Sequence, residues 1–456
     1  MVKDDHFFKQ NCNWSQTFMK TYLVLGIGKS GQAAAEWLEK QKFKVLTFDD
    51  YSPALSTVTL NNIPWNEITT VIQSPGIPYS FPAPHPVTAL AKAKDIPIVT
   101  DINLLQQANP NAHFVGITGT NGKSTTTALI GHILDHSRRV CAVGGNIGVP
   151  VLSLPSLEEN GTYVLELSSF QLEASAPLTL DVAAWLNITP DHLDRHGTIE
   201  NYIAAKEILF LNAQQAVVNV DDDFSLQVYH RLKDKGAAVL GVSCTQQTDI
   251  YVESGILYDT QNPVVDLSNI ARLQGLHNYQ NAATAYAVCK LLNVPIDDIK
   301  EAFKTFAGLA HRQEIVGRIK NMVFVNDSKA TNADATAYAL SRYAHQAIYW
   351  IAGGKAKSQG IQPLKDFFPN IRHAFLIGEA QSDFAKTLDG HVPYTLSGNL
   401  DKALTDAVDM IRKESSDQPA IILLSPACAS YDQFKSFEHR GDVFRNLVTH
   451  LTESYS

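Results

Sequence analysis

From Thr21 onward, short runs rich in β-branched and aliphatic residues alternate with longer segments of helical period. YLVLG (22–26), FKVLTF (43–48), TTVIQS (69–74) and IPIVT (96–100) read as strands, and the Pro-rich stretch 75–86 as loop. Strands alternating with helices predict a parallel sheet with helices on both faces. A second series opens at HFVGITG (113–119), continues into a helix from about Lys123 to His136, and predicts strands at 162–168, 181–187, 215–220 and 237–242. Segment 248–267 alternates with Gly punctuation and predicts an antiparallel hairpin. Helices over about 279–293 and 296–306 lead to Gly308, and a third series places strands near 323–326, 347–352, 373–377 and 420–424. There is no internal repeat, heptad run or low-complexity tract. The expectation is an α/β chain of three domains, 20–101, 102–308 and 309–456, behind an extension 1–19. The outer domains are expected to be Rossmann-like, and the central one a P-loop ATPase-like domain whose parallel sheet carries a small antiparallel part.

Composition changes this picture little but excludes several partners. At 456 residues the chain exceeds what one core supports, which agrees with several domains. Its 46 acidic against 37 basic side chains give a net charge of −9, unsuited to nucleic acid or an anionic membrane surface. Cys12, Cys141, Cys244, Cys289 and Cys428 are scattered, odd in number and without a C-x-x-C pair. That usage fits a reducing compartment and neither a disulfide framework nor a zinc site. No apolar run reaches the roughly 18 residues of a bilayer span, and the N-terminus lacks the apolar region of a secretory signal. A cytoplasmic enzyme is expected.

Candidate chemistry centres on Gly116-Ile-Thr-Gly-Thr-Asn-Gly-Lys-Ser-Thr125, between an apolar strand and a helix. Glycines let the backbone wrap a polyphosphate with consecutive N–H groups turned inward, and the helix N-terminus adds partial positive charge. In that reading Lys123 lies against the β- and γ-phosphates and the Ser124 hydroxyl holds Mg²⁺. The spacing departs from G-x-x-x-x-G-K-[ST], because Ile117 stands where the first Gly belongs. A Gly-rich structural turn is the alternative.

Glu166 ends the predicted strand at 162–168, where polar residues face the ligand crevice of an α/β sheet. A lone carboxylate there is costly unless paired or metal-bound. His192 and His196 sit four residues apart in NITPDHLDRH without the H-E-x-x-H context of a zinc helix. For His192 a metal site and a satisfied loop histidine are equally good readings, and His196 is assigned to the second. On residue pattern alone Lys206, in NYIAAKEILF, reads as a surface lysine.

Near the start, LVLGIGKSG contains G-x-G-x-x-G between strand and helix, with Asp49 and Asp50 about 20 residues on. Alone it spells a dinucleotide site and a dehydrogenase, resting on Gly26, Gly28 and Gly31. A nucleotide-diphosphate sugar would use the same N–H groups, and a purely structural turn is also open.

Four segments together resemble the Mur ligase family: TGTNGKST (118–125), ELSSFQLE (166–173), HNYQNAATA (277–285) and HRQEIV (311–316). NDSKATN (326–332) and SPACASYDQFKSFEHRG (425–441) are similar to the D-glutamate-adding branch. No D-N-P-R segment of the diaminopimelate-adding relatives and no His-His-Pro stretch of the alanine-adding ones is present. The resemblance, over about residues 21 to 447, implies a ligase that adds D-glutamate to UDP-N-acetylmuramoyl-L-alanine through an acyl phosphate. It implies a cytoplasmic enzyme of peptidoglycan precursor synthesis using ATP and two Mg²⁺ sites, with a monomer as the working expectation.

Residue by residue, the resemblance implies that Lys123, Glu166, His192 and Lys206 form the catalytic set. Ser124 and Glu166 would hold one Mg²⁺, and His192 beside Lys206, carbamylated in the family, the second. For ATP the matching positions are Gly119, Thr120, Asn121, Gly122, Lys123, Ser124, Thr125, Asn278, Asn281, Arg312, Asp327 and Lys329. For the UDP-substrate they are Gly28, Lys29, Ser30, Asp49, Asp50, Ser74, Asn146 and His192. For D-glutamate they are Thr331, Lys357, Ser430 and Phe437, with Lys355 a competitor for Lys357. Tyr51 stands where some relatives carry Arg, and Tyr431 where they carry Leu. The rival readings, a P-loop kinase or NTPase and an NAD-dependent dehydrogenase, leave HRQE and NDSKATN, or Lys123 and its loop, unexplained. Another family member with a different amino-acid acceptor is the nearest alternative.

Overall fold

The computed structural model describes residues 20–146, 148–270, 272–356, 360–414 and 418–454. The expected extension 1–19, Cys12 and Lys357 lie outside the described residues. The chain forms two compact units, one ending at Ala307 and the other beginning at Gly308.

The first unit holds two sheets. β1 (Thr21–Leu25), β2 (Lys44–Phe48), β3 (Ile68–Gln73) and β4 (Ile98–Val99) pair in parallel in the order 2-1-3-4. The second sheet comprises β5 (His113–Thr118), β6 (Cys141–Gly145), β7 (Thr162–Glu166), β8 (Thr179–Trp185), β9 (Asn212–Asn219), β10 (Val239–Ser243), β11 (Ile250–Glu253), β12 (Ile256–Asp259) and β13 (Asn262–Asp266). Its order is 13-12-11-10-9-8-5-7-6, parallel from β6 through to β11, with β12 and β13 added as antiparallel hairpin strands. The Gly-punctuated segment 248–267 therefore forms the expected hairpin, although β11 itself pairs in parallel with β10.

Helices α1 (Lys29–Lys40) and α2 (Asp101–Ala108) flank the first sheet and its exit. In the second, α3 (Lys123–His136) follows β5, α4 (Ser169–Ala174) follows β7, and α5 (Leu193–His196) and α6 (Ile199–Glu207) follow β8. Helix α7 (Leu276–Leu291) buries every residue from Asn281 to Cys289, as a helix wedged between sheet and neighbour must. It packs on α3, whose Leu129, Ile130, Ile133 and Leu134 are fully buried. Each such side chain contributes roughly 1.5–3 kcal/mol relative to exposure. The strands read as apolar runs because both faces of a parallel sheet are covered. One cluster runs from Tyr22, Val24 and Ile72 of the first sheet through Ile102 and Leu105 of α2 to Phe114 and Tyr163 of the second.

The second unit is one sheet: β14 (Glu314–Ile319), β15 (Met322–Asn326), β16 (Ala347–Gly353), β17 (Ile371–Ile377), β18 (Tyr394–Gly398) and β19 (Ala420–Leu424). Its order is 14-15-19-16-17-18, parallel except for β14, and helix α8 (Phe437–Ser454) packs against β14 and β15. Among the described residues no helix is long and apolar enough to cross a membrane.

Candidate active site

The loop from Gly119 to Gly122 joins the end of β5 to α3 and is held open from the neighbouring strand. After β8 the chain turns at Asn187, whose carbonyl accepts the Thr120 N–H at 2.8 Å. Its side-chain oxygen accepts the Asn121 N–H at 2.8 Å, and its amide donates to the Asn121 carbonyl at 3.1 Å. Thr120 Oγ1 accepts the Thr189 N–H at 3.1 Å. Gly122 caps α3 at φ +84°, and an added Cβ would collide with Asn281 Oδ1. Only glycine meets both conditions. Asn281 is thereby placed against the loop from α7, while Asn278 donates to the Gln274 carbonyl at 3.0 Å.

Two lysines converge on one loop carbonyl. Lys123 Nζ donates to the Gly119 and Thr120 carbonyls at 2.8 and 2.7 Å. Lys206 Nζ donates to the same Gly119 carbonyl at 2.9 Å and to Thr118 Oγ1 at 3.2 Å. Lys206 is 1% exposed, which overturns the surface reading of NYIAAKEILF. Burial holds its amine well below the ordinary lysine range, Lys123 pushes it further, and Asp191 and Glu166 resist. Tyr202, one turn earlier on α6, lies under it with the ring centroid 4.8 Å from Nζ.

Glu166, 2% exposed, ends β7 beside Ile117 of β5 and Gly145 of β6. Asn146 Nδ2 donates to its Oε1 at 2.9 Å, whereas the buried Oε2 has no hydrogen-bond partner. Asn146 thus orients Glu166, a role its expected place in the UDP site did not suggest.

His192 has left-handed backbone (φ 54°) at the start of α5, with its ring 4.9 Å from Phe170. Burial lowers its basicity, Asp191 resists, and Lys206 and Lys123 reinforce the fall. His196 is buried, stacks on Phe170 at 5.4 Å, and shares a 2.9 Å hydrogen bond with Ser169 Oγ. It is a satisfied packing residue, and burial brings its pKa down to about 4.

In the first sheet Ser74 Oγ donates to the Gly26 carbonyl at 2.6 Å, and a Cβ on Gly31 would collide with that same carbonyl. Helix α1 begins at Gly28 without a side-chain cap, so its first N–H groups stay available. The two acidic residues have separate roles. Asp49 accepts the N–H groups of Ile27 (2.5 Å), Tyr51 and Ser52 (2.8 Å each), which outweigh burial and hold its carboxyl below the usual range. Its oxygens shape the turn. Asp50, 54% exposed, pairs with His85 Nε2 at 2.6 Å. Because His85 Nδ1 accepts the Val87 N–H at 3.2 Å, the neutral ring carries its proton on Nε2.

In the second unit Asp327 follows β15 and accepts from Ser425 Oγ at 2.8 Å and from the Gln313 N–H at 3.1 Å. Burial pushes its carboxyl up to about 7 against those bonds and against Arg312 and Arg342. Arg440, fully buried on α8, donates to Ser328 Oγ (3.0 Å), Ser328 O (2.9 Å) and Cys428 O (3.0 Å), tying the loops after β15 and β19 together. Lys355 and Ala429 exchange backbone hydrogen bonds at 2.9 and 3.1 Å, which brings Lys355 beside the segment of the buried Ser430. Lys329 Nζ lies 5.3 Å from the Phe437 ring. Asn187, Tyr202, His85 and Arg440 were not singled out from the sequence, and only their tertiary contacts reveal them.

Among known families, residues 117–289 match the Mur ligase middle domain. The chain is 46% identical over 455 residues to the UDP-N-acetylmuramoylalanine--D-glutamate ligase of Rhodospirillum rubrum, covering 94% of each chain. It is 45% identical to the protein of the same name from Paramagnetospirillum magneticum, covering 94% of this chain and 96% of that one. Among solved structures, MurC from Thermotoga maritima (TM-score 0.59, 16% identity, 96% of this chain and 100% of that one) shares the fold. So does MurF from Acinetobacter baumannii (TM-score 0.61, 18% identity, 78% and 82%). By near-full-length similarity the chain belongs to the Mur ligases, in the family of UDP-N-acetylmuramoylalanine--D-glutamate ligases.

Proposed function

We propose that this chain joins D-glutamate to UDP-N-acetylmuramoyl-L-alanine at the expense of ATP, in the cytoplasm and as a monomer. The observation that carries the reading is the convergence of Lys123, Lys206, Glu166 and His192 around one glycine loop at the end of β5. A carboxylate resists attack by an amine, so the acid must first receive a leaving group. Transfer of the γ-phosphoryl group to the L-alanyl carboxylate releases ADP and leaves an acyl phosphate. The unprotonated amine of D-glutamate then attacks the acyl carbon, and phosphate departs as the amide forms.

The loop suits this chemistry. The N–H groups of the α3 N-terminus would bind the β- and γ-phosphates, while those of Thr120 and Asn121 stay on Asn187 and hold the loop, and Lys123 would exchange its carbonyl partners for phosphate oxygens. Positive charge fixed before the reaction stabilises charge that grows on the phosphoryl and tetrahedral oxygens. Asn281 borders the loop, and Asn278, Arg312, Asp327 and Lys329 are proposed for the remaining nucleotide contacts. Thr331, Ser430, Phe437 and either Lys355 or Lys357 are proposed for D-glutamate, whose two carboxylates call for a cation and hydroxyl donors. Gly28, Lys29, Ser30, Asp50, Ser74 and His192 are proposed for the UDP-substrate, with Asp49 and Asn146 shaping its surroundings.

The donor set also fits Mg²⁺. Glu166 offers a buried oxygen without a partner, and with the Ser124 hydroxyl it would hold a hard cation that neutralises phosphate charge. Among the described residues no three His, Cys, Asp or Glu side chains gather, so phosphate and water oxygens would complete the shell. A second ion beside His192 needs an oxygen that the Lys206 amine lacks. The suppressed basicity of that amine favours its attack on CO₂, which gives a carbamate and a released proton. An acceptor panel tests the assignment: phosphate release from ATP should require both UDP-N-acetylmuramoyl-L-alanine and D-glutamate. Equal release with L-glutamate or lysine would reject it.

A further inference from the structure

We infer that Asp101 is a positioning residue for the diphosphate of the UDP-substrate: it takes a proton from solvent as the substrate binds and turns the Ser30 hydroxyl toward a phosphate oxygen. The inference rests on the function proposed for the first sheet. Asp101 opens α2 just after β4 and is 4% exposed. Helix α2 packs on α1, and the Ser30 hydroxyl in the first turn of α1 meets the Asp101 carboxylate, as do the N–H groups of Asp101 and Ile102. Its Oδ1 is nevertheless buried without a hydrogen-bond partner among the described residues, an arrangement that costs free energy. The helix does not require it. Thr100 and Asn103 cap α2, with Asn103 Oδ1 accepting the Thr100 N–H at 3.1 Å. An acid in the first turn is favourable in itself, but an exposed one would gain as much without the burial.

Ser30 has a single hydroxyl proton for two acceptors. With Asp101 ionised, that proton points at the carboxylate, and only lone pairs face a diphosphate seated on the uncapped N-terminus of α1. With Asp101 protonated, the carboxyl O–H donates to Ser30 Oγ, and the serine proton is free for a phosphate oxygen. No bond between heavy atoms changes; one proton moves from solvent to Asp101. Burial prepares the step, raising the carboxyl to about 6 against its three hydrogen bonds. The charged side chains on the elements around it are Lys29, Glu36, Glu39 and Lys40 of α1 and, beyond the Thr100–Ser175 contact, Glu173 of α4. Strands β3 and β4 and the turn 151–153 carry none, and no neighbouring charge contributes to the shift. A bound diphosphate adds negative charge beside a group already close to taking a proton. Because the competent form is the protonated one, binding weakens as pH rises above about 6.

The test is titration calorimetry of the full chain with UDP-N-acetylmuramoyl-L-alanine, whose doubly esterified phosphates hold no proton in the range used. Wild type should bind about tenfold more weakly at pH 8 than at pH 6, the effect of a one-unit rise in the carboxyl's pKa on binding. Near pH 7 its binding heat should vary with the ionisation enthalpy of the buffer, in the sense of proton uptake. Asp101→Asn keeps a permanent donor to Ser30 Oγ, so its affinity should be the same at both pH values and should exceed that of wild type at pH 8. Damage to the fold could not produce that gain. Wild-type affinity independent of pH, or binding without proton uptake, overturns the inference whether or not the variant folds. So does an Asp101→Asn chain with the wild-type pH profile. A wild-type chain that binds no UDP-N-acetylmuramoyl-L-alanine at either pH would instead remove the proposed function beneath it.

Discussion

At the residue scale the site is a problem of crowded positive charge. Lys123 and Lys206 both donate to the Gly119 carbonyl, and the arrangement is relieved when phosphate arrives or when Lys206 loses its proton. Lys123→Ala should lower turnover by roughly a hundredfold or more, the usual effect of removing one preorganised stabiliser, with circular dichroism and Tm unchanged. Wild-type-like activity would detach the loop from catalysis. Lys206→Ala should be nearly inactive and regain part of its activity in added acetate or formate, which would replace a carbamate. If small carboxylates give no recovery in a titration of initial rates, the carbamate assignment fails. Lys123 was legible because glycines and a following helix announce it. Lys206 was not, because burial is a property of what covers a residue, and Thr118 and Gly119 lie more than eighty positions earlier in the chain.

Elements turn those residues into a site by meeting across the sheet. The loop after β5 keeps its shape through Asn187 on the turn after β8, its neighbour in the sheet. Asn187→Ala removes two side-chain hydrogen bonds to Asn121 and should reduce kcat/KM for ATP by about 5- to 30-fold, or one to two kcal/mol. Steady-state kinetics with ATP varied would show it, and an unchanged value would mean that the loop holds itself. Interior strands such as β5, β7, β15 and β19 were visible as apolar runs. The strands that escaped notice were β6, β14 and β18, and each lies at a sheet edge. Edge strands carry glycines or charges (CAVGG, EIVGRI, YTLSG) because only part of their surface is covered, which breaks the apolar run.

For the whole molecule, buried titratable groups tie stability to pH in opposite senses. His196 has a native pKa of about 4, below its ordinary 6.5, so between these values the unfolded chain binds the proton that the native ring refuses. Its contribution is whole above pH 6.5 and is lost as pH falls toward 4. Asp101, raised to about 6, and Asp327, raised to about 7, act in reverse: their contribution is whole below the unfolded value of 3.8 and is lost as pH rises through 6 and 7. The difference between wild type and His196→Gln isolates the first effect. Urea midpoints taken from pH 7 to 4.5 should fall less steeply in the variant, and parallel profiles would show that the native ring titrates normally.

The catalytic account stands on one event, transfer of the γ-phosphoryl group of ATP onto the carboxylate of the nucleotide-sugar acid. Supplying that acid with ¹⁸O in its carboxylate and analysing the released phosphate by mass spectrometry tests it directly. One labelled oxygen should appear in phosphate for each amide formed, with no ATP consumed when the acid is omitted. Unlabelled phosphate accompanying normal amide formation would contradict it.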